Sequence, residues 1–180
     1  ALARTLSSMI AVSHATRETL VQRTSISDSQ HCPVTVIQNG VGATNLQSKV
    51  PEKRKELNLG IIGRVEPYKG HAQVLEAMSL LPKETLQNVR LKVIGTCSDE
   101  QSQSLLGLAE GLGINKCLEF CGFVDRPIVE IIAELDALVM ATQTFEGFAL
   151  TAVEALMVDV PVIATRVGII NEIFDISDPM

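Results

Sequence analysis

Aromatic residues are scarce in this chain: 3% of 180 residues, with no Trp, one Tyr and five Phe. So thin a supply argues against a platform on which successive bases of a single strand would stack. Cations are in the minority too, 15 Lys and Arg against 21 Asp and Glu, for a formal net charge of -6. A phosphate backbone attracts a concentrated positive surface, so general nucleic-acid binding is disfavoured, while a local basic pocket stays open. No apolar run reaches the roughly 18 residues that crossing a bilayer requires, and no N-x-S/T acceptor occurs. The four cysteines, Cys32, Cys97, Cys117 and Cys121, include no C-x-x-C pair. Cys117 and Cys121 read as two positions on one face of a strand, about 13 Å apart, too far for a disulfide or a shared metal. Buried, reduced thiols in a cytoplasmic compartment are therefore the expectation. The opening ALARTLSSMIAVSHATRE runs from a short apolar centre straight into a helical pattern, and reads as fold interior cut by truncation rather than a signal peptide.

What is present falls into two zones. In the first, SMIAV (8–12) reads as a buried strand, and Ser13 as the N-cap of a helix over HATRETLVQ, its hydroxyl accepting from a free first-turn N–H. TVIQNG (35–40) is a second strand, closed by the turn dipeptide Asn39-Gly40. The charged stretch LQSKVPEKRKE (46–56), broken by Pro51, is the linker candidate. From Leu57 onward, LNLGIIG, VRLKVIG, LEFCGFV, ALVMAT and PVIAT are short and almost continuously aliphatic. Strands covered on both faces look like this. Helix-period segments HAQVLEAMSLL, EQSQSLLGLAEGL, PIVEIIAEL and ALTAVEALM separate them. The alternation predicts a doubly wound α/β domain with a parallel sheet and right-handed crossovers. Ligands of such a sheet bind beyond the carboxyl ends of its strands.

Two of those ends carry chemistry. After the first strand of the regular zone comes GRVEPYKG (63–70), which has neither P-loop spacing nor a dinucleotide fingerprint. It places Arg64 and Lys69 on one loop that opens a helix. A planar fork of donors, a point charge and free helix N–H groups together suit a diphosphate. Two unrelated surface cations would look the same in sequence. After the fourth strand, TFEGFALTAVEA sets Glu146 in a loop and Glu154 a turn inside the next helix. Gly147 permits close backbone approach, and Gly147, Phe148 and Ala149 offer successive N–H groups near a helix start. The carboxylates can accept from sugar and ribose hydroxyls; an acid–nucleophile pair of a hydrolase is the other use of two such groups. His14 and His71, each near a helix start, read as capping or surface residues, and His31 is isolated.

These residues resemble the donor-binding half of GT-B glycosyltransferases, in particular the large retaining family 4. The E-x7-E element is similar to Glu146–Glu154, and GRVEPYKG, VIG, FCGFV and PVIATRVGIINEI occur in that family's order. IAVSHATRETL and VIQNGV resemble its passage out of the acceptor domain. The resemblance implies a Rossmann-like GT-B C-terminal domain over 57–180, cut short at its C-terminus. Before it come a linker at 46–56 and the end of an N-terminal acceptor domain over 1–45, the rest of that domain being missing. It implies a nucleoside-diphosphate sugar as donor, an unknown acceptor, and neither metal nor cofactor. Arg64 and Lys69 would hold the diphosphate, Glu146 would act catalytically at the transferred sugar, and Gly147, Phe148, Ala149 and Leu150 would cradle sugar and phosphate. Glu154 would bind the ribose, with Gly95, Phe123 and Val124 on the base side. The family usually has glycine at Asp159 and a Gly-Gly pair at Gly168-Ile169, where Ile169 is expected to crowd backbone approach. Glu172 matches the acid that comes next, without an assigned role. A hexosyltransferase is expected, inactive or weakly active as this piece, with peripheral membrane attachment open. A sugar-nucleotide epimerase on the same scaffold, or a non-catalytic nucleotide-binding or interaction domain, are the alternatives.

Overall fold

The structure, a computed structural model, describes residues 6–23, 32–42 and 56–174. The linker expected at 46–56 lies outside them except for Glu56, as does His31. The chain divides into two compact units. One takes the described residues of Ala1–Gly42, Thr144–Leu150 and Arg166–Met180, the other those of Ala43–Gln143 and Thr151–Thr165.

The smaller unit begins with β1 (Met9–Ala11), α1 (His14–Arg23) and β2 (Val34–Val36). The two strands pair in parallel, Met9 opposite Val34 and Ala11 opposite Val36. Ala11 and Val34 are buried there, with Met9 and Leu20 against them. Ser13 caps α1 as expected: its Oγ accepts from the Thr16 N–H at 3.0 Å.

The larger unit holds β3 (Leu57–Ile62), β4 (Val89–Ile94), β5 (Leu118–Gly122), β6 (Ala137–Met140) and β7 (Val162–Ala164) in one sheet. Every pairing in it is parallel, in the order β5-β4-β3-β6-β7. The connections carry α2 (His71–Ser79), α3 (Lys83–Leu86), α4 (Asp99–Gly111), α5 (Ile128–Ile132) and α6 (Leu150–Met157), whose first residue belongs to the smaller unit. A last short helix, α7 (Ile170–Ile173), lies in the smaller unit.

The central strands are aliphatic because both faces of the sheet are covered there, whereas at the edge Ile163 of β7 is 57% exposed. Ile61, Leu91, Val93 and Val139 pack with Val74, Leu75 and Met78 of α2 and with Leu105 and Ala109 of α4. On a separate core, Leu138 meets Ile131 and Ile132 of α5 and Ala155 of α6. Each such side chain contributes about 1.5–3 kcal/mol by leaving water. Helix α4 starts with a full capping box: Ser98 Oγ accepts from the Gln101 N–H, and the Gln101 side chain accepts from the Ser98 N–H.

The strand order reverses between β3 and β6, and this reversal opens a crevice beyond their carboxyl ends. At the opposite, amino ends of these two strands Asp136 fixes their pairing. Its carboxylate accepts from the Asn58 N–H at 2.7 Å, and its own N–H donates to the Asn58 carbonyl at 2.8 Å. Asp159, where glycine was expected from the resemblance, takes φ +54 in the turn before β7.

Five expectations need correction. β1 is not a buried strand: Ile10 is 65% exposed and only Ala11 is buried. β2 covers Val34–Val36, so residues 37–40 of the expected strand and its closing turn fall outside it. Cys117 closes a 3-10 turn, Asn115–Cys117, and only Cys121 lies in β5. Cys32 and Cys117 are buried, but Cys97 and Cys121 are half-exposed, so the four free thiols do not share one environment. His71 is neither a cap nor a surface residue: it is 3% exposed, and Gly70 takes the N-cap position of α2. Among the described residues, no helix is long and apolar enough to cross a membrane.

Candidate functional site

In the larger unit the loops after β3, β4, β5 and β6 are knitted into one rim. The Gly63 N–H donates to the Ile94 carbonyl at 2.8 Å and the Val65 N–H to that of Thr96 at 3.0 Å. The Gly95 N–H donates to the Gly122 carbonyl at 2.8 Å, and the Gln143 N–H to that of Tyr68 at 2.7 Å. These bonds bring Arg64, Lys69, Gly95, Phe123 and Val124 to the same end of the sheet, on successive loops.

The cationic loop takes its shape from the residues that close it. Pro67–Lys69 form a single 3-10 turn, and Gly70 then adopts φ +78 to open α2. An added Cβ on Gly70 would stand 2.0 Å from the Ala141 carbonyl oxygen at the end of β6, so only glycine lets the two loops close on each other. Arg64 projects from this loop with 73% of its side chain exposed, loosely paired with Glu66 at 3.8 Å. The Lys69 Nζ lies 5.6 Å from the centre of the Tyr68 ring. Beneath it, burial and then the Lys69 charge hold the His71 imidazole below its usual pKa. Neither His71 ring nitrogen has a hydrogen-bond partner among the described residues.

Phe123, just past β5, is 74% exposed, an aromatic face free at the rim. Glu154 lies four residues into α6, about 6 Å along its axis. It is half-buried, and burial raises its carboxyl pKa. A partly desolvated carboxylate without a cation beside it gains from any hydroxyl pair that can donate to it.

The remaining predicted residues, Glu146, Gly147, Phe148, Ala149 and Leu150, lie in the smaller unit. Glu146 is half-buried, Ala149 is 4% exposed and Leu150 is 43% exposed. Ala149 takes φ +58, unusual for a residue with a Cβ, and α6 begins immediately after it. The Gly147 carbonyl accepts from Ser13 Oγ at 2.8 Å, and Thr16 Oγ1 stands 3.4 Å from it. The Glu146 carbonyl accepts from the Ile169 N–H at 3.0 Å. Ile169 is 1% exposed, its φ is -67, and its N–H supports the loop; the expected crowding is not seen.

Ser13 and Thr16 were not legible as partners of this loop, because no local pattern marks contacts spanning more than 130 residues. His71 carried a weak signal, an apolar neighbourhood on the buried stripe of α2. Among the described residues, no group of three or more His, Cys, Asp or Glu is placed to hold a metal.

Comparison with known proteins agrees with this architecture. The chain is 29% identical over 158 residues to a D-inositol 3-phosphate glycosyltransferase of Corynebacterium jeikeium (strain K411), covering 78% of this chain and 37% of that one. It is 25% identical over 141 residues to the O-antigen biosynthesis glycosyltransferase WclY of Escherichia coli, covering 78% and 39%. Among solved structures, Anabaena Alr3699/HepE, in complex with UDP and glucose, superposes with a TM-score of 0.78 at 23% identity, over 93% of this chain and 47% of that one. WaaG, a glycosyltransferase involved in lipopolysaccharide biosynthesis, gives 0.72 at 19% identity, over 88% and 44%. The chain thus spans half the length or less of these relatives. A family model for glycosyl transferases group 1 matches residues 43–176, most of the chain, and the protein belongs to that family.

Proposed function

We propose that this chain binds the nucleoside-diphosphate sugar of a glycosyltransferase that passes the sugar to an acceptor with retention of configuration. The observation that carries the reading is the rim of the larger unit. Arg64 and Lys69 sit on the loop after β3, at the reversal of strand order, bonded to the ends of β4 and β6. The UDP and glucose held by the Anabaena relative support a donor of this class.

As the glycosidic bond breaks, negative charge builds on the departing diphosphate. Arg64 offers a planar pair of donors to it and Lys69 a compact ammonium, and stabilising that charge lowers the barrier. These two cations take on the neutralisation for which other transferases use a metal. Glu154, desolvated and without a partner among the described residues, accepts from the ribose diol. Phe123 offers its exposed ring to the base, with the Gly95 and Val124 backbone beside it. Glu146 is assigned to the transferred sugar, and the N–H groups of Gly147 and Phe148 to its phosphate side.

Calorimetric titration of the chain with UDP, GDP and ADP tests the reading. Binding of at least one, weakened tenfold or more in Arg64→Ala and in Lys69→Ala, is expected. No binding of any of them at millimolar concentration by folded protein would overturn it.

A further inference from the structure

The loop at Glu146–Gly147 is held from two sides by segments far away in sequence. On one side stands the start of α1. The Ser13 hydroxyl, wholly buried, donates to the Gly147 carbonyl at 2.8 Å while its oxygen accepts from the Thr16 N–H. On the other side, the Ile169 N–H donates to the Glu146 carbonyl at 3.0 Å. Gly168 packs so closely that a Cβ there would lie 2.0 Å from the same carbonyl oxygen.

Glu172 joins the two sides. Its carboxylate accepts from the His14 N–H at 3.1 Å and from the Ala15 N–H at 2.6 Å, separations of 158 and 157 residues. Those are the first two free donors of α1, and the Ser13 cap takes the third. A negative charge at this helix end is favourable electrostatically as well as by hydrogen bonding. Glu172 therefore fixes α1 against the segment that carries Gly168 and Ile169, and so fixes both grips on the loop.

Peptide planarity carries the consequence to the other edge of the loop. No peptide in the described residues is cis, so each N–H points opposite to the carbonyl of its own peptide unit. With the Glu146 and Gly147 carbonyls turned to Ile169 and Ser13, the N–H groups of Gly147 and Phe148 turn away from these supports. Neither N–H has a partner among the described residues.

We infer that Glu172 and Ser13 are positioning residues: they hold two adjacent carbonyls so that the Gly147 and Phe148 N–H groups stand ready as a pair of donors to the anionic part of the donor substrate. The inference rests on the function proposed above for this loop. It assigns a role to two side chains that do not themselves touch substrate.

Amide exchange by mass spectrometry and UDP titration, run on the same preparations of the full chain, test it together. In Glu172→Ala and Ser13→Ala, peptides spanning 167–171, which carry the Ile169 N–H bonded to the Glu146 carbonyl, are expected to exchange at least tenfold faster, while those of β4 (89–94) stay at the wild-type rate. UDP affinity should fall about tenfold in both variants, and Glu172→Gln, which keeps one acceptor oxygen in place, should lie between them and the wild type. If Glu172→Ala does not fold, Glu172→Gln and Thr16→Val carry the same measurements. Unchanged exchange at 167–171 overturns the positioning role whatever the nucleotide does. Faster exchange with UDP affinity within twofold of wild type overturns it too. A wild-type chain that fails to bind any nucleoside diphosphate defeats the proposed function instead, and the exchange arm still decides whether the clamp exists.

Discussion

The loop after β3 and the loop after β6 are both short, both come after an aliphatic strand and both lead into a helix, yet they are held in opposite ways. The first is shaped from within: Pro67 starts a 3-10 turn, Gly70 takes a left-handed φ, and the remaining bonds go to neighbouring strand ends of its own sheet. The second is shaped from outside, by Ser13 and Ile169, and the side chains it needs come from both ends of the chain. A loop built from within carries its instructions in consecutive residues. A loop built from outside depends on contacts that close only when distant segments have folded, and each substitution at those segments acts on it remotely.

The largest effects should come from the glycine in each loop's support. Gly70→Ala and Gly168→Ala each force a Cβ to 2.0 Å from a backbone carbonyl oxygen, at φ +78 and +57. Left-handed strain and overpacking together should destabilise by about 2–4 kcal/mol in either case, read from urea unfolding. Gly147→Ala is the contrast. Its Cβ would meet nothing closer than 3.8 Å, so stability should stay within about 0.5 kcal/mol of wild type. If Gly168→Ala unfolds no more easily than Gly147→Ala, the second loop is not held as described.

Next come the cations. Arg64→Ala and Lys69→Ala should each weaken nucleoside-diphosphate binding by about 1–3 kcal/mol, the usual size for a hydrogen bond to a charged group. Unfolding of Arg64→Ala should hardly change, because Arg64 is mostly exposed and its pairing with Glu66 is loose. Affinity that survives both substitutions would mean the cations decorate the rim without using it.

The same contrast explains what was readable in the sequence. The strands of the parallel sheet, the five main helices and the cationic loop rest on period, caps and turn residues within a few positions, and appear where those signals put them, whereas β2 ends at Val36, short of the expected Asn39-Gly40 turn. The resemblance marks Asp159 as a position where glycine is usual, and the φ of +54 found there is one that a short polar side chain tolerates. Glu172 was legible only as an acid in the right place, since its partners lie at the far end of the chain. Cys117 was misplaced because a 3-10 turn leading into a strand has the same apolar texture as the strand itself.

His71 was misread because a histidine at a helix start is usually wet, and this one opens a helix whose first residue is covered. It yields the smallest effect, a slope rather than a midpoint. Burial, and then the Lys69 charge, keep its folded-state pKa below the unfolded value of about 6.5. Below that pH the unfolded chain takes up a proton that the folded chain resists. Stability is therefore fully present above about pH 6.5 and is lost as pH falls toward the folded-state value. Glu154 acts with the opposite sign: its raised pKa favours the folded state while the carboxyl is protonated, an advantage lost as pH rises through its folded-state value. Comparing wild type with His71→Gln in urea at pH 5.5, 6.5 and 7.5 isolates the histidine, because Glu154 contributes equally to both. The wild type should lose stability toward pH 5.5 and the variant should lose less. Parallel curves would mean that His71 reaches water or a proton acceptor in the folded chain, and that the first loop is less tightly shut over α2 than Gly70 implies.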